Sequence, residues 1–220
     1  MKVIAMIPAR MGSQRLKQKN LREIDGIPII THAIRKSKSL PKVNEVWVNS
    51  EHDTFGEIAK QEDVNFYKRP SELANNTATS EDFVFDFLRG HNCDILLQVH
   101  SIAPLLRKET IERFLNAMIE GGYDSFFSVV NEQIECAMND KPLNFSFSTK
   151  TNSQELTPIQ RITWSITGWR RETFLEAYNA GGCATYSGTC GFFPLDREEG
   201  IIIKTEKDFQ IAKALYKHLD

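Results

Sequence analysis

The sequence predicts an α/β fold: a doubly wound, mainly parallel sheet with helices on both faces. Three observations carry that prediction. Short apolar runs alternate with amphipathic segments along most of the chain, the order that builds parallel strands joined by crossover helices. Hydrophobic residues make up 41% and charged residues 25%, the composition of a globular protein with a full core. A length of 220 residues suits one domain over 1–220 with a small appended element.

The elements follow in order. Residues 2–7 (KVIAMI) form a buried strand, and 29–39 a helix with Ile30, Ala33 and Ile34 on one face. Strand 45–48, helix 54–61 and strand 64–67 come next. Helix 80–88 is opened by Thr79 or Ser80 as cap, with Glu81 and Asp82 in the favoured first turn. Strand 94–99, helix 108–119 and strand 124–130 continue the rhythm. Residues 131–163 break it: they are polar, with few apolar periods, and read as an arm, hairpin or lid. A disordered loop is the plainer alternative. Patterning returns at 162–167 and 171–178, and the chain ends with a strand at 201–203 and a helix at 205–219. Right-handed crossovers then place ligands beyond the carboxyl ends of the strands.

Bulk properties exclude several classes. A net charge of -2 and a pI near 6.2 offer no basic field for nucleic acid. The opening MKVIAMIPARMG lacks the pattern of a signal peptide. No apolar run approaches the ~20 residues of a membrane span. Cys93, Cys136, Cys183 and Cys190 form no CxxC pair, so neutral thiols in a reducing cytoplasm are expected rather than a metal site or a disulfide scaffold.

The segment after the first strand, IPARMGSQRLKQKNL, concentrates the chemistry. It carries Arg10, Arg15, Lys17 and Lys19 around Gly12 and Ser13. Such a loop at a strand's carboxyl end suits a triphosphate: glycine lets backbone N–H groups approach, arginine grips two oxygens and lysine adds a point charge. A solvated basic loop is the bland alternative. Neither GxxxxGK[ST] nor GxGxxG is present, which argues against P-loop NTPases and NAD enzymes.

The IPARxGSxRLxxKN pattern resembles the opening motif of the cytidylyltransferases that make CMP-sialic acid and CMP-Kdo. The resemblance implies a Rossmann-like nucleotidyltransferase fold with a dimerisation arm, CTP as substrate and Mg²⁺ as cofactor. By that resemblance Arg10, Ser13, Arg15 and Lys19 hold the phosphates, Asn20 meets the ribose, and Ala9 and Gly12 belong to the same nucleotide-binding site. The segment Arg69-Pro70, Glu72-Leu73-Ala74, Thr77-Ala78-Thr79-Ser80 resembles the family's RPxELAxDxAxS, which implies that Arg69 and Ser80 help read the base. Leu96-Leu97-Gln98 resembles the start of the acceptor motif and makes Gln98 an acceptor-binding candidate.

The implied reaction is attack of an acceptor oxygen on the α-phosphorus of CTP, with loss of pyrophosphate. Positioning and charge neutralisation dominate such chemistry, and Arg10, Lys19 and Lys204 are its catalytic candidates. The family's Asp-x-Asp pair falls here on Ile202 and Lys204, which leaves the metal ligands unknown. Lys204 stands in for metal charge, or the nucleotide itself holds the metal, or the site is degenerate. The family's QPTSPLR becomes Gln98-Val99-His100-Ser101-Ile102-Ala103-Pro104-Leu105-Leu106-Arg107. His100 is then an anion ligand, a base or a packed residue. Trp164, Trp169, Phe192 and Phe193 either line an acceptor pocket or fill the core.

The expected partners are CTP and an acidic sugar such as a sialic-, legionaminic-, pseudaminic- or Kdo-like acid, in a homodimer without nucleic acid or membrane. A phosphate or phosphonate acceptor, and a noncatalytic nucleotide-binding homologue, are the alternatives.

Overall fold

The computed structural model describes residues 1–218. β1 (Val3–Pro8) runs up the middle of the main sheet. A 3₁₀ turn at Lys19–Leu21, the small hairpin β2 (Glu23–Ile24) and β3 (Ile27–Pro28), and helix α1 (Ile29–Lys38) lead to β4 (Glu45–Ser50). α2 (Asp53–Gln61), β5 (Asn65–Lys68), α3 (Ser80–Gly90), β6 (Ile95–Val99), α4 (Lys108–Glu120) and β7 (Ser125–Glu132) follow. After a hairpin of β8 (Ala137–Met138) and β9 (Lys141–Pro142), the long β10 (Ile159–Arg170) re-enters the sheet. α5 (Arg171–Asn179), β11 (Cys190–Pro194) and α6 (Glu206–Tyr216) complete the chain.

The sheet order is β11-β7-β10-β6-β1-β4-β5. β6, β1, β4 and β5 pair in parallel, as do β7 and β11. β10 is antiparallel to both neighbours. The carboxyl ends of β1, β4, β5 and β6 therefore share one edge.

Both faces of β1 are buried, which explains its uninterrupted apolar run. Val3, Ala5 and Ile7 join Ile30, Phe55 and Phe114 of α1, α2 and α4. Ile4 and Met6 point the other way, toward Phe87 of α3 and Phe174 of α5. Burial of each such side chain stabilises by ~1.5–3 kcal/mol before entropy. A third cluster joins Leu16, Ile24 and Ile29 to Ile203 and Phe209, so α6 clamps the loop after β1. Thr79 caps α3 and Thr205 caps α6, each in a reciprocal box with Asp82 or Asp208.

Three departures from the sequence reading have physical causes. Residues 201–203 form no strand. Three isoleucines mimic strand propensity, but the segment is held by Ile201 N–H to the Glu198 carbonyl at 3.0 Å, by Ile203 N–H to the Ile102 carbonyl at 2.8 Å, and by burial of Ile203. The final helix begins at Glu206, and the expected end at Leu219 lies outside the described residues. β11, parallel to β7, was hidden by its Gly and Pro. Within 131–163, β7 runs on to Glu132 and β10 starts at Ile159, enclosing the short hairpin.

The β7–β10 pairing breaks between Ile162 and Thr167, and Trp164 sits there at φ 59°. A left-handed tryptophan is a strained conformation that the surroundings must impose. Ser128 supplies part of that constraint: its carbonyl accepts from the Thr163 hydroxyl at 3.2 Å, and its own hydroxyl accepts from Ile166 N–H at 3.2 Å.

Candidate active site

The loop after β1 is pinned by a short set of contacts to β4, its exit and the third cluster. Ala9 N–H extends the β1 pairing to the Asn49 carbonyl at 3.0 Å. Met11 N–H donates to Glu51 Oε1 at 2.7 Å. Leu16 is buried in the third cluster. Gln18 takes a left-handed φ of 49° and turns the chain into Lys19–Leu21. Asn20, only 5% exposed, donates to the Arg10 carbonyl at 3.3 Å and accepts from the Ser101 hydroxyl at 2.9 Å.

A cavity of about 320 Å³ opens at the carboxyl edge of the sheet. Ala9, Arg10, Ser13, Arg15, Lys19, Asn20, Arg69, Ser80 and His100 all line it, with Gln14, Phe83 and Ile102. The fold thus brings together most of the residues picked from sequence. Gly12 lies off the lining, and an added Cβ there meets nothing within 4 Å. The fold itself does not require glycine at this position.

Arg69 is buried and locked in place. Its Nε donates to Asn49 Oδ1 at 2.7 Å, and Nη2 to the carbonyls of Asn49 at 2.6 Å and Ala9 at 3.0 Å. Its guanidinium lies 4.4 Å from the Phe83 ring centroid. Arg10 reaches across to the Asn75 carbonyl at 3.1 Å and Asn76 Oδ1 at 3.3 Å. Arg10, Arg69 and Phe83 also border an adjoining cavity of about 290 Å³ with Asn75, Asn76 and Ala78. Ser80 is the first residue of α3.

The positive charges feel one another. Burial, then Arg15, Arg10 and Lys204, push the Lys19 ammonium down to about 8, with Asp208 opposing. Burial pushes Arg69 down to about 10, helped by Arg10 and opposed by Glu51. Unbalanced cations around a cavity make an anion site. Lys204 is exposed and outside the lining, but it follows Ile203, which packs with Leu16 of the loop and bonds to Ile102 of the lining.

The other side of the cleft is neutral. Gln98 of β6 is fully buried, so it does not line the cavity; its amide nitrogen lies 2.6 Å from His100 Nε2. Burial, then the Lys19 charge, push the His100 imidazole down to about 4. It is neutral near pH 7, which removes the charge an anion ligand would use. Gln98 and Thr167 pair directly across β6 and β10. Gln98 Oε1 and Thr167 Oγ1 are both buried without a hydrogen-bond partner among the described residues, a costly arrangement. Arg107 is occupied by Asp196 and Glu198, each at 3.1 Å. Trp169 is core, its indole N–H donating to the Thr185 carbonyl at 2.9 Å. Phe193 packs against the core, whereas Trp164, Tyr186 and Phe192 gather around Phe127.

Sequence reasoning missed Asn49, Glu51 and Thr167. The polar run Asn49-Ser50-Glu51 at a strand's carboxyl end was a usable signal for the first two. Thr167 had none, because its importance comes from strand pairing.

Among the described residues, no group of three or more His, Cys, Asp and Glu side chains is placed to hold a metal. No helix there is long and apolar enough to cross a membrane.

A family model described as cytidylyltransferase matches residues 4–220. The chain is 24% identical over 220 residues to N-acylneuraminate cytidylyltransferase A of Danio rerio, covering 96% of this chain and 50% of that protein. It is 25% identical over 229 residues to N-acylneuraminate cytidylyltransferase of Streptococcus agalactiae serotype V, covering 95% and 52%. The chain therefore spans about half the length of these curated relatives. The solved structure of CMP:2-keto-3-deoxy-manno-octonic acid synthetase complexed with CTP superposes with a TM-score of 0.75 at 18% identity, covering 99% of each chain. That of 4-diphosphocytidyl-2C-methyl-D-erythritol synthase from Anaerococcus prevotii gives 0.71 at 13%, covering 98% of each. These likenesses show the shared fold. The family-model match places the chain in the cytidylyltransferase family.

Proposed function

We propose that this member of the cytidylyltransferase family transfers CMP from CTP to an acidic sugar of the sialic-acid or Kdo type and releases pyrophosphate. The observation that carries the reading is the convergence of Arg10, Arg15, Lys19 and Arg69 on one cavity at the carboxyl edge of the sheet. Arg10, Ser13, Arg15 and Lys19 surround the triphosphate. Asn20, held by Arg10 and Ser101, faces the ribose. Arg69 and Ser80 border the base.

An acceptor oxygen attacks the α-phosphorus as the bond to the bridging oxygen breaks. The electron pair leaves with pyrophosphate, whose charge Arg10 and Lys19 stabilise. The acceptor proton passes to solvent, because the His100 imidazole at the cavity wall is held near 4 and is a weak base. Gln98 holds its ring at 2.6 Å.

The Mg²⁺ implied by the resemblance does not fit the residues present. No carboxylate lines the cavity, and the matched positions carry Ile202 and Lys204. A magnesium ion needs anionic oxygens in near-octahedral array, so no step is assigned to one. The homodimer implied by the resemblance would use the hairpin region, where Ile134, Met138, Leu143 and Phe147 are exposed. Its test is the mass in solution by light scattering.

The deciding experiment is pyrophosphate release from each of the four NTPs with a panel of sugar acids, phosphates and phosphonates. CTP with a sugar acid is the expected pair. Preference for UTP would overturn the nucleotide assignment. Turnover on a phosphonate alone would move the acceptor class, and CTP binding without turnover would favour a noncatalytic homologue.

A further inference from the structure

We propose that this chain binds its nucleoside triphosphate as the free anion in preference to the magnesium complex, with the Lys204 ammonium supplying charge that a metal would otherwise bring. The inference rests on the nucleotide reading above and specifies the form of that substrate.

The charge at the site is one-sided. Arg10, Arg15, Lys19 and Arg69 line the cavity, and no aspartate or glutamate does. Lys204, outside the lining, adds a further cation next to Ile203. Its backbone is fixed on both sides, by Ile203 packed beside Leu16 and by its own N–H bonded to Asp208 Oδ2 at 3.0 Å. Its neighbour Ile203 donates through N–H at 2.8 Å to the carbonyl of Ile102, which lines the cavity, and the Lys204 charge helps lower Lys19.

Carboxylates on bordering elements are already engaged. Glu51 accepts from Met11 N–H. Asp82 accepts from the Thr79 hydroxyl and from Tyr178. Asp208 Oδ2 accepts from the backbone N–H groups of Lys204 and Thr205 and from the Thr205 hydroxyl. A divalent ion entering here would meet cations rather than ligands. A magnesium ion on the triphosphate also neutralises and occupies the oxygens that Arg10 and Lys19 would bond. The protein therefore gains more from the bare ligand.

Calorimetric titration with CTP, in EDTA and again in excess Mg²⁺, tests this. The expected result is tight binding in EDTA and weaker apparent affinity as Mg²⁺ complexes the nucleotide. Lys204→Ala should weaken EDTA binding about fivefold, the effect of one exposed charge pair. Lys204→Asp should weaken it further and make Mg²⁺ tighten binding. Because Lys204 is exposed, both variants should melt as the parent does. Tighter wild-type binding with Mg²⁺, or Lys204→Asp binding free CTP as well as the parent, would overturn the inference and leave the nucleotide reading standing. Binding in neither condition would overturn both.

Discussion

The two ends of the cleft are built by different means. The cationic end draws Arg10, Ser13, Arg15, Lys19 and Asn20 from one loop, fixed by the bond of Met11 N–H to Glu51 and by the buried Leu16. The opposite end presents His100 from the exit of β6, backed by the buried Gln98 of β6, Thr167 of β10 and Phe127 of β7. One end is charged and partly open, while the other is neutral and closely packed. A single loop can set out charge, because Coulomb forces tolerate small displacements. Shape and hydrogen-bond recognition need several strands in register, so that end changes when any of them shifts.

Removal of the residue that ties the start of the loop to β4 should have the largest effect. Arg69→Met takes the donor from the Ala9 carbonyl and from Asn49 Oδ1, and one of two donors from the Asn49 carbonyl, and urea denaturation should show a loss of ~4 kcal/mol. An unchanged midpoint would mean that the cleft floor does not depend on this guanidinium.

Arg10→Ala should separate the ends cleanly. CTP affinity should fall ~100-fold, about two charge-assisted hydrogen bonds, with the melting temperature and the acceptor KM little changed. An equal loss on the acceptor side would show that the ends are coupled.

Acid and alkali should address opposite ends. His100 is held near 4, against 6.5 for an ordinary histidine. The unfolded chain therefore binds the extra proton first as pH falls. The stabilisation is complete above pH ~6.5 and lost toward pH ~4, by ~3 kcal/mol in urea titrations. His100→Asn should flatten that slope, leaving the smaller share from His32, which burial also lowers. At the cationic end Lys19 sits at about 8. CTP binding favours its protonated form, so affinity should decline above pH 8 and calorimetry there should record proton uptake.

The smallest effect is expected at Gln98. Gln98→Leu should raise the acceptor KM about fivefold through loosened control of His100, with CTP affinity unchanged. A shift in the acid limb of the rate profile would identify positioning rather than simple packing.

What was legible in the sequence follows the same division. The loop from Arg10 to Asn20 could be read because its chemistry is contiguous, and Arg69 and Ser80 because short motifs surround them. The buried two-sided strand β1 announced itself by apolarity. Thr167 and the strained Trp164 could not be read, since both depend on how β10 meets β6 and β7. Residues 201–203 misled for a related reason: β propensity reports a preference for a pleated, half-buried surface, and the hydrophobic cluster around Leu16 satisfied those isoleucines without a partner strand.

The break in β10 has a consequence for how this scaffold can be altered. Between the Ile162–Val129 and Thr167–Phe127 pairs, residues 163–166 on one strand face Ser128 alone on the other. That surplus is odd, so the alternation of side chains inverts as the strand leaves the sheet. The kink works as a gear between two bodies of residues. Loss or gain of one residue there would turn the outlying half of β10 over while the pairing of Gln98 with Thr167 stayed in place. Such an indel is a one-step route by which the outer hairpin could present a new face to its surroundings with the phosphate loop untouched.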